Sequence, residues 1–334
     1  MNTNHMSALT EQPVINMSSS INLALHDSLQ ADERTMLIGE DIGPLGGVFR
    51  VTAGLLKTFG ESRVVNSPLG EAGIVGTAIG LAMSGYRPVC EIQFDGFVFP
   101  AMNQITTQLA KLHHRSRGTI RLPIVIRIPV AGGIGAIEHH SESPEGYFAQ
   151  TPGLRVVTCS TPQNAYSLLR ASIDSDDPVI FLEPKSRYWD RGVVDPNLSM
   201  SIDTADLLCA GEDIVLIAYG ATVKTALEAR AILADKGIGA AVVELCSLAP
   251  LDLETLVSVV SSVGRAIVIH ESSLTGGLGA EIAARVTEGA FYNLEAPVTR
   301  VTGFDTPYPP SRLEHGWLPN VERVLEAVEK TLDI

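Results

Sequence analysis

From residue 35 onward, short apolar runs alternate with segments whose apolar positions recur at helical spacing. The runs TMLIGEDI, PVCEIQF, PIVIRIPV, RVVTCS and PVIFLEP are apolar through most of their length, as strands covered on both faces are. Between them, AGIVGTAIGLAMSG, FPAMNQITTQLAKLHHRS and TPQNAYSLLRASIDS place Gly or Ser near their ends and repeat apolar residues at roughly helical intervals. They are predicted as crossover helices, so the alternation implies a parallel sheet with helices on its faces.

The first of these helices carries Gly73, Gly76, Gly80 and Gly85 together with Ala72, Ala78 and Ala82. Glycine in a helix loses backbone entropy without adding side-chain contacts, so this composition predicts a second helix approaching closely, within the domain or across a subunit interface.

The stretch KSRYWDRGVVDPNLSMS mixes charge, Gly and Pro without a sustained period and reads as a linker. A second series follows, with strand-like DIVLIAYG, AAVVELCSL, RAIVIHES and PVTRVTGFD separated by helical ATVKTALEARAILADKG, DLETLVSVVSSVG and GLGAEIAARVTEGAF. The division is a loose tail over 1–13, a first domain over 14–190, a linker over 191–206 and a second domain over 207–334. GEDI occurs at both 39 and 211, but the flanking residues do not match, so no internal repeat is assigned.

Length supports two domains, since 334 residues exceed the size at which a single core stops growing. A composition of 45% hydrophobic and 19% charged residues is that of an ordinary globular protein and excludes a disordered or fibrous one. The formal charge of −14 argues against nucleic acid as a partner, because phosphate binding draws on clustered Lys and Arg. Cys90, Cys159, Cys209 and Cys246 stand apart without a CxxC pair, which suits reduced core thiols in a cytoplasmic protein better than a disulfide framework or zinc site. The opening MNTNHMSALTEQP lacks the basic flank and apolar core of a secretory signal, and no apolar run reaches the length of a membrane span.

Three places can carry chemistry. The loop NSPLGE follows a strand-like RVV and puts Glu71 at the first turn of the small-residue helix, where a carboxylate either stabilises the N-terminus or exchanges a proton with a ligand. Gln93, Asp95, Phe97 and Phe99 alternate after PVCEIQF, at the carboxyl end of a strand where open α/β sheets bind ligands. Phe97 can stack on a flat ring or belong to the core. The passage AGGIGAIEHHSESPEGYF combines a Gly-rich loop, adjacent His139 and His140 and two acids. It matches neither phosphate-loop pattern. On an extended backbone the two imidazoles would diverge, leaving one His for proton transfer or for a structural role.

These passages together resemble a known family. GEDIGPLGGVFRVTAGL, SPLGEAGIVGTAIGLAMSGYRPVCEIQFDGFVFPAMNQ, HHSESPEGYFAQTPGL, STPQNA, DPVIFLEPK and RVTGFDTPYPPSRLEHGWLPN are similar to the beta subunit of the decarboxylase component of 2-oxo acid dehydrogenase complexes. The resemblance runs over nearly the whole chain after residue 14. It implies an α/β fold of two doubly wound domains of the transketolase superfamily: a pyrimidine-binding domain and a transketolase C-terminal domain. It also implies thiamine diphosphate as cofactor. Glu71 matches the glutamate that hydrogen-bonds the aminopyrimidine, Phe97 the aromatic residue against that ring, and His140 the histidine involved in acyl transfer to lipoamide. Glu40 and Gln93 match residues near the cofactor. Glu142 stands where many branched-chain members have Gln and others an acid.

Family enzymes hold the diphosphate and magnesium through GDG and a downstream Asn, and this sequence contains no GDG. The resemblance therefore assigns magnesium to an alpha subunit in an α2β2 assembly, with activity only in its presence and a lipoyl-bearing dihydrolipoamide acyltransferase as the next partner. A potassium site stays open, because the aligned positions include Ser175 and Asp177, where ligands vary. EIQF, HHSESPE and FLEPK look closer to branched-chain members, with pyruvate or acetoin as the alternative substrate. A non-catalytic assembly subunit and a stand-alone nucleotide-binding enzyme are the readings from other classes.

Overall fold

The structure is a computed structural model that describes residues 12–333; residues 1–11 of the expected tail lie outside it. Eight strands occupy the first part of the chain: β1 (Val14–Asn16), β2 (Thr35–Gly39), β3 (Val64–Asn66), β4 (Arg87–Glu91), β5 (Val125–Val130), β6 (Arg155–Thr158), β7 (Val179–Pro184) and β8 (Arg191–Val193). Six follow: β9 (Ala205–Cys209), β10 (Ile214–Ala218), β11 (Ala240–Leu245), β12 (Ser247–Ala249), β13 (Ala266–Ser273) and β14 (Thr299–Gly303).

The larger sheet has the order β12-β6-β7-β5-β4-β2-β3, with β2 to β7 all parallel. Strands β2, β5 and β7 are buried along their whole length, as their unbroken apolar runs predict. The chain steps from β2 outward to β3 and then crosses back over β2 to β4. In open α/β sheets such a reversal marks the carboxyl ends of the strands on either side, here β2 and β4, as the place where ligands bind. The second sheet runs β14-β13-β10-β11-β9, parallel except for β9.

Two expected elements differ. AAVVELCSL, read as one strand, divides at Cys246: β11 completes the second sheet, while β12 pairs antiparallel with β6 and extends the first. The segment FPAMNQITTQLAKLHHRS is not one α-helix. A 3-10 turn over Asp95–Ala101 contains Pro100, and a π-helical stretch over Asn103–Leu109 precedes a short α-helix, Ala110–Arg115. Pro100 has no N–H for the ladder. The Thr106 and Thr107 hydroxyls donate to the carbonyls of Met102 and Asn103, competing with the backbone.

The stretch 191–206, read as linker, is structured at both ends. β8 pairs antiparallel with β1, and β9 begins at Ala205. A two-stranded ribbon with exposed Arg191 and Val193 has too little apolar period to announce itself. One apolar cluster joins the sheets, packing Ile180 and Leu182 of β7 together with Val243 and Leu245 of β11 and Leu248 of β12.

Within the larger sheet, Arg127 of β5 is buried between two carboxylates. It makes a two-pronged contact with Glu183 of β7 (2.7 and 2.9 Å) and reaches Glu91 of β4 at 2.6 Å. The Tyr188 hydroxyl donates to Glu183 at 2.6 Å.

Candidate active site

The site assembles at the carboxyl ends of β2, β3, β4 and β5. Glu40 directly follows β2, and its Oε1 accepts the N–H of Gly70 at 2.8 Å. That bond ties the end of β2 to the residue preceding Glu71, which opens the helix Glu71–Met83. Glu71 is half-buried at this N-terminus, where the free backbone N–H groups favour a negative charge.

After β4 the chain presents Gln93, whose Nε2 donates to Asp41 Oδ2 at 3.0 Å, and then the turn Asp95–Ala101, which packs on the helix Glu71–Met83. Phe97 and Phe94 form an edge-to-face pair with centroids 5.8 Å apart. The His140 ring stacks on Phe94 at 4.1 Å and meets Phe97 edge-on at 5.1 Å. Its Nδ1 is buried and has no hydrogen-bond partner among the described residues. His139 and His140 do not diverge as an extended backbone would require. They occupy a 3-10 turn, Glu138–His140, which brings the two rings to 4.4 Å, with His139 the more exposed.

Asp95 is fully buried and pairs with Lys185 Nζ at 2.6 Å, while its other oxygen accepts the N–H of Glu142 at 2.7 Å. Burial lowers the Lys185 pKa, and Asp95 opposes that shift. Burial, followed by the charges of Asp95 and Glu138, raises that of Glu142. Phe99 faces away from this cluster and pairs with Tyr147 at 5.6 Å.

The structure thus gathers Glu40, Glu71, Gln93, Phe97 and His140 on one sheet edge. The alternation after β4 pointed past Phe94, and Lys185 lay unremarked inside FLEPK, although a lysine ending an apolar strand is itself a signal. Glu145, Glu271, Tyr308 and Glu314 were also missed. Tyr219 Oη donates to Glu145 at 2.7 Å, and Glu271 Oε2 accepts the Gly132 N–H at 2.8 Å, both bonds crossing between the domains. Among the described residues, one group combines metal-binding side chains, Asp206 with Glu244 and Cys246. It lies at the β6 end of the sheet, where the Asn164 amide donates to Glu244 at 3.2 Å and to Cys246 Sγ at 3.6 Å.

Burial pushes the Glu271 carboxyl up to about 7; the Gly132 N–H and Lys185 oppose this, and Glu145 and Glu314 reinforce it. A carboxyl raised above its unfolded value of about 4.3 contributes stability that is complete below that value. The contribution is lost as pH rises through about 7. Glu271→Gln should therefore flatten the fall in Tm between about pH 5 and pH 8. Parallel profiles for the two proteins would show that Glu271 does not cause that fall.

A family model described as the transketolase pyrimidine binding domain matches residues 14–189, and one described as the transketolase C-terminal domain matches 203–324. A split-gene transketolase, solved as an inactive beta4 tetramer, superposes with a TM-score of 0.80 at 24% identity, covering 96% of this chain and 99% of that one. Pichia stipitis transketolase gives 0.72 at 16% identity over 96% of this chain and 46% of that one. These matches define the class, a transketolase-type pair of α/β domains.

The chain is 53% identical to the pyruvate dehydrogenase E1 component subunit beta of Leifsonia xyli over 95% of its length and 94% of that protein's. It is 48% identical to the 3-methyl-2-oxobutanoate dehydrogenase subunit beta of Mycobacterium tuberculosis, covering 95% and 92%. The chain belongs to the family of 2-oxo acid dehydrogenase E1 beta subunits. Among the described residues no helix is long and apolar enough to cross a membrane.

Proposed function

We propose that this chain supplies the pyrimidine-gripping half of a thiamine-diphosphate site and works with an alpha subunit in an α2β2 decarboxylase that acylates lipoamide. The observation carrying the proposal is the arrangement at the carboxyl ends of β2 and β4: Glu71 opens the helix on which the Phe97 turn packs, and the His140 ring, whose buried Nδ1 has no partner among the described residues, meets Phe97 edge-on. Those groups fit an aminopyrimidine, a flat ring with both donors and acceptors. They do not fit a diphosphate, because Lys185, the cation on this edge, is already paired with Asp95. Magnesium needs oxygen ligands and phosphate, which this reading assigns to the alpha chain.

When bound, the cofactor supplies the nucleophilic carbon and the electron sink for loss of CO2. Glu71 holds and moves a proton at the pyrimidine ring. Phe97 would present its face to the ring, and Glu40, through the Gly70 N–H, fixes the loop that carries Glu71. His140 manages the proton during acyl transfer. In the overall reaction the C1–C2 bond of the 2-oxo acid breaks and CO2 leaves. The acyl carbon bonds to one lipoyl sulfur as the S–S bond breaks. That carbon is oxidised to a thioester, the disulfide gains two electrons, and the second sulfur takes a proton.

Branched-chain 2-oxo acids are the proposed substrates, supported by the motif resemblance and by the 3-methyl-2-oxobutanoate relative. Pyruvate is the second reading, favoured by the 53% identical relative. The test is coexpression with the neighbouring alpha subunit, followed by turnover of 3-methyl-2-oxobutanoate, 4-methyl-2-oxopentanoate and pyruvate. A complex that binds thiamine diphosphate and decarboxylates none of them would leave an assembly role and refute the enzyme reading.

The helix Glu71–Met83 supports a subunit contact. Ile74, Val75, Ala78 and Ala82 face the core, whereas Gly73, Gly76 and Gly80 are exposed. A Cβ added at Gly73 or Gly80 would meet nothing within 4 Å. Gly80→Leu should leave this chain's own stability unchanged or higher by about 1 kcal/mol and abolish the heterotetramer in size-exclusion light scattering. A tetramer of normal size would show that this face lies outside the assembly.

A further inference from the structure

The Gly-rich loop that leads to His140 begins in the first domain but is held by the second. Gly132 N–H donates to Glu271 Oε2 at 2.8 Å. Gly133 N–H reaches Glu314 Oε1 at 3.0 Å, and Gly135 N–H reaches both Glu314 oxygens at 3.2 and 3.1 Å. The Tyr308 hydroxyl donates to the same carboxylate at 2.6 Å. Positive φ angles of 85° at Gly133 and 71° at Gly135 turn these N–H groups inward. Backbone so arranged forms a concave anion site, and the anion here is the chain's own Glu314. A Cβ at Gly132 would collide with the Tyr308 hydroxyl, so side chains there are excluded by the second domain itself.

The far end of the loop is anchored separately, within the first domain. Ala131 N–H donates to the Glu142 carbonyl at 2.8 Å, and Glu142 N–H to Asp95 at 2.7 Å. His139 and His140 sit between the two anchors. Asp95 and Lys185 hold one of them, and among the described residues Glu271, Glu314 and Tyr308 hold the other.

We infer that Glu314, assisted by Glu271 and Tyr308, is a positioning residue: the second domain sets the placement of His140 by clasping the backbone of the loop before it. The inference rests on the role proposed above for His140. It predicts that loosening the clasp damages acyl transfer more than decarboxylation, because Glu71 and Phe97 are fixed by other elements.

The test uses the coexpressed complex with alpha subunit in wild-type, Glu314→Ala and Glu314→Gln forms, with decarboxylation read by a dye electron acceptor and acyl transfer by acylation of a lipoyl domain. Glu314→Ala should lower the kcat of lipoyl acylation by about tenfold or more, as a misplaced catalytic group does, and change dye-coupled decarboxylation less than about twofold. Glu314→Gln retains one side-chain acceptor and should recover most of the loss. Hydrogen exchange at Gly133 and Gly135 should accelerate in the alanine variant and stay slow in the glutamine variant. A parallel fall in both activities, an unchanged ratio, or unchanged exchange at these amides would overturn the inference. A wild-type complex that acylates no lipoyl domain would instead count against the proposed function, while the exchange measurement would still decide whether the clasp exists.

Discussion

Replacing Glu71 with glutamine should lower decarboxylation by about 10²- to 10⁴-fold, the range attached to a positioned proton-transfer group, with little loss of folding or assembly. Glutamine keeps the size and hydrogen-bonding reach of the side chain but cannot take up the proton. A structural account of Glu71 predicts a different result. A carboxylate at a half-buried helix N-terminus contributes at most about 2 kcal/mol, so on this account its loss would lower Tm modestly and leave turnover intact. Thermal unfolding and steady-state turnover on the same preparation separate the accounts. Near-wild-type turnover with a small Tm shift would make Glu71 a helix-stabilising residue and nothing more.

Arg127→Met should cost about 3–5 kcal/mol of stability, the penalty for leaving buried charges without their partner. Glu91 and Glu183 flank Arg127 at 2.6–2.9 Å, and its side chain is 2% exposed. Without the guanidinium, the two carboxylates would face each other across the middle of the sheet. Burial already raises the Glu91 pKa with Arg127 present, and removing the cation would raise it further. A raised carboxyl stabilises below its unfolded pKa and loses that contribution as pH rises. The deficit of Arg127→Met should therefore be smaller at about pH 5 than at about pH 8. Denaturant unfolding at both values checks the magnitude and its sign. The triple variant Glu91→Gln, Arg127→Met, Glu183→Gln should regain much of the loss, since a buried ion-pair network exchanged for uncharged groups is often neutral. A pH-independent deficit, or none, would show that water reaches the triad.

The apolar runs that became β2, β5 and β7 could be read directly, because a strand covered on both faces has no reason to alternate. Glu71 could be placed at a helix start from NSPLGE alone, and the structure puts it there. Where the local signal conflicted with a tertiary demand, the reading failed. AAVVELCSL looks like one strand but divides between two sheets, because the residues after Cys246 find an open edge on β6. The segment around Pro100 has helical spacing, yet its missing N–H and the two threonine hydroxyls redirect the backbone.

The site shows the same division. Glu71 and Phe97 were singled out as candidates by their positions, and His140 was chosen over His139 by the resemblance. Phe94, the ring on which His140 stacks, was not singled out, because an aromatic next to a candidate carries no periodic mark. The Gly-rich loop matched no phosphate-binding pattern, and Gly133 and Glu314 are 181 positions apart, so no local pattern links the loop to the carboxylate it holds.

The alternation of strands and helices, the two α/β series and the types of chemical group at hand follow from composition and period, which are properties of neighbouring residues. The reversal of strand order at β2 and β4, the carboxylates around Arg127 and the second domain's hold on the His140 loop follow from which distant strands lie side by side. That arrangement is set by packing and hydrogen bonding over the whole chain, which bring together residues that no sequence window contains.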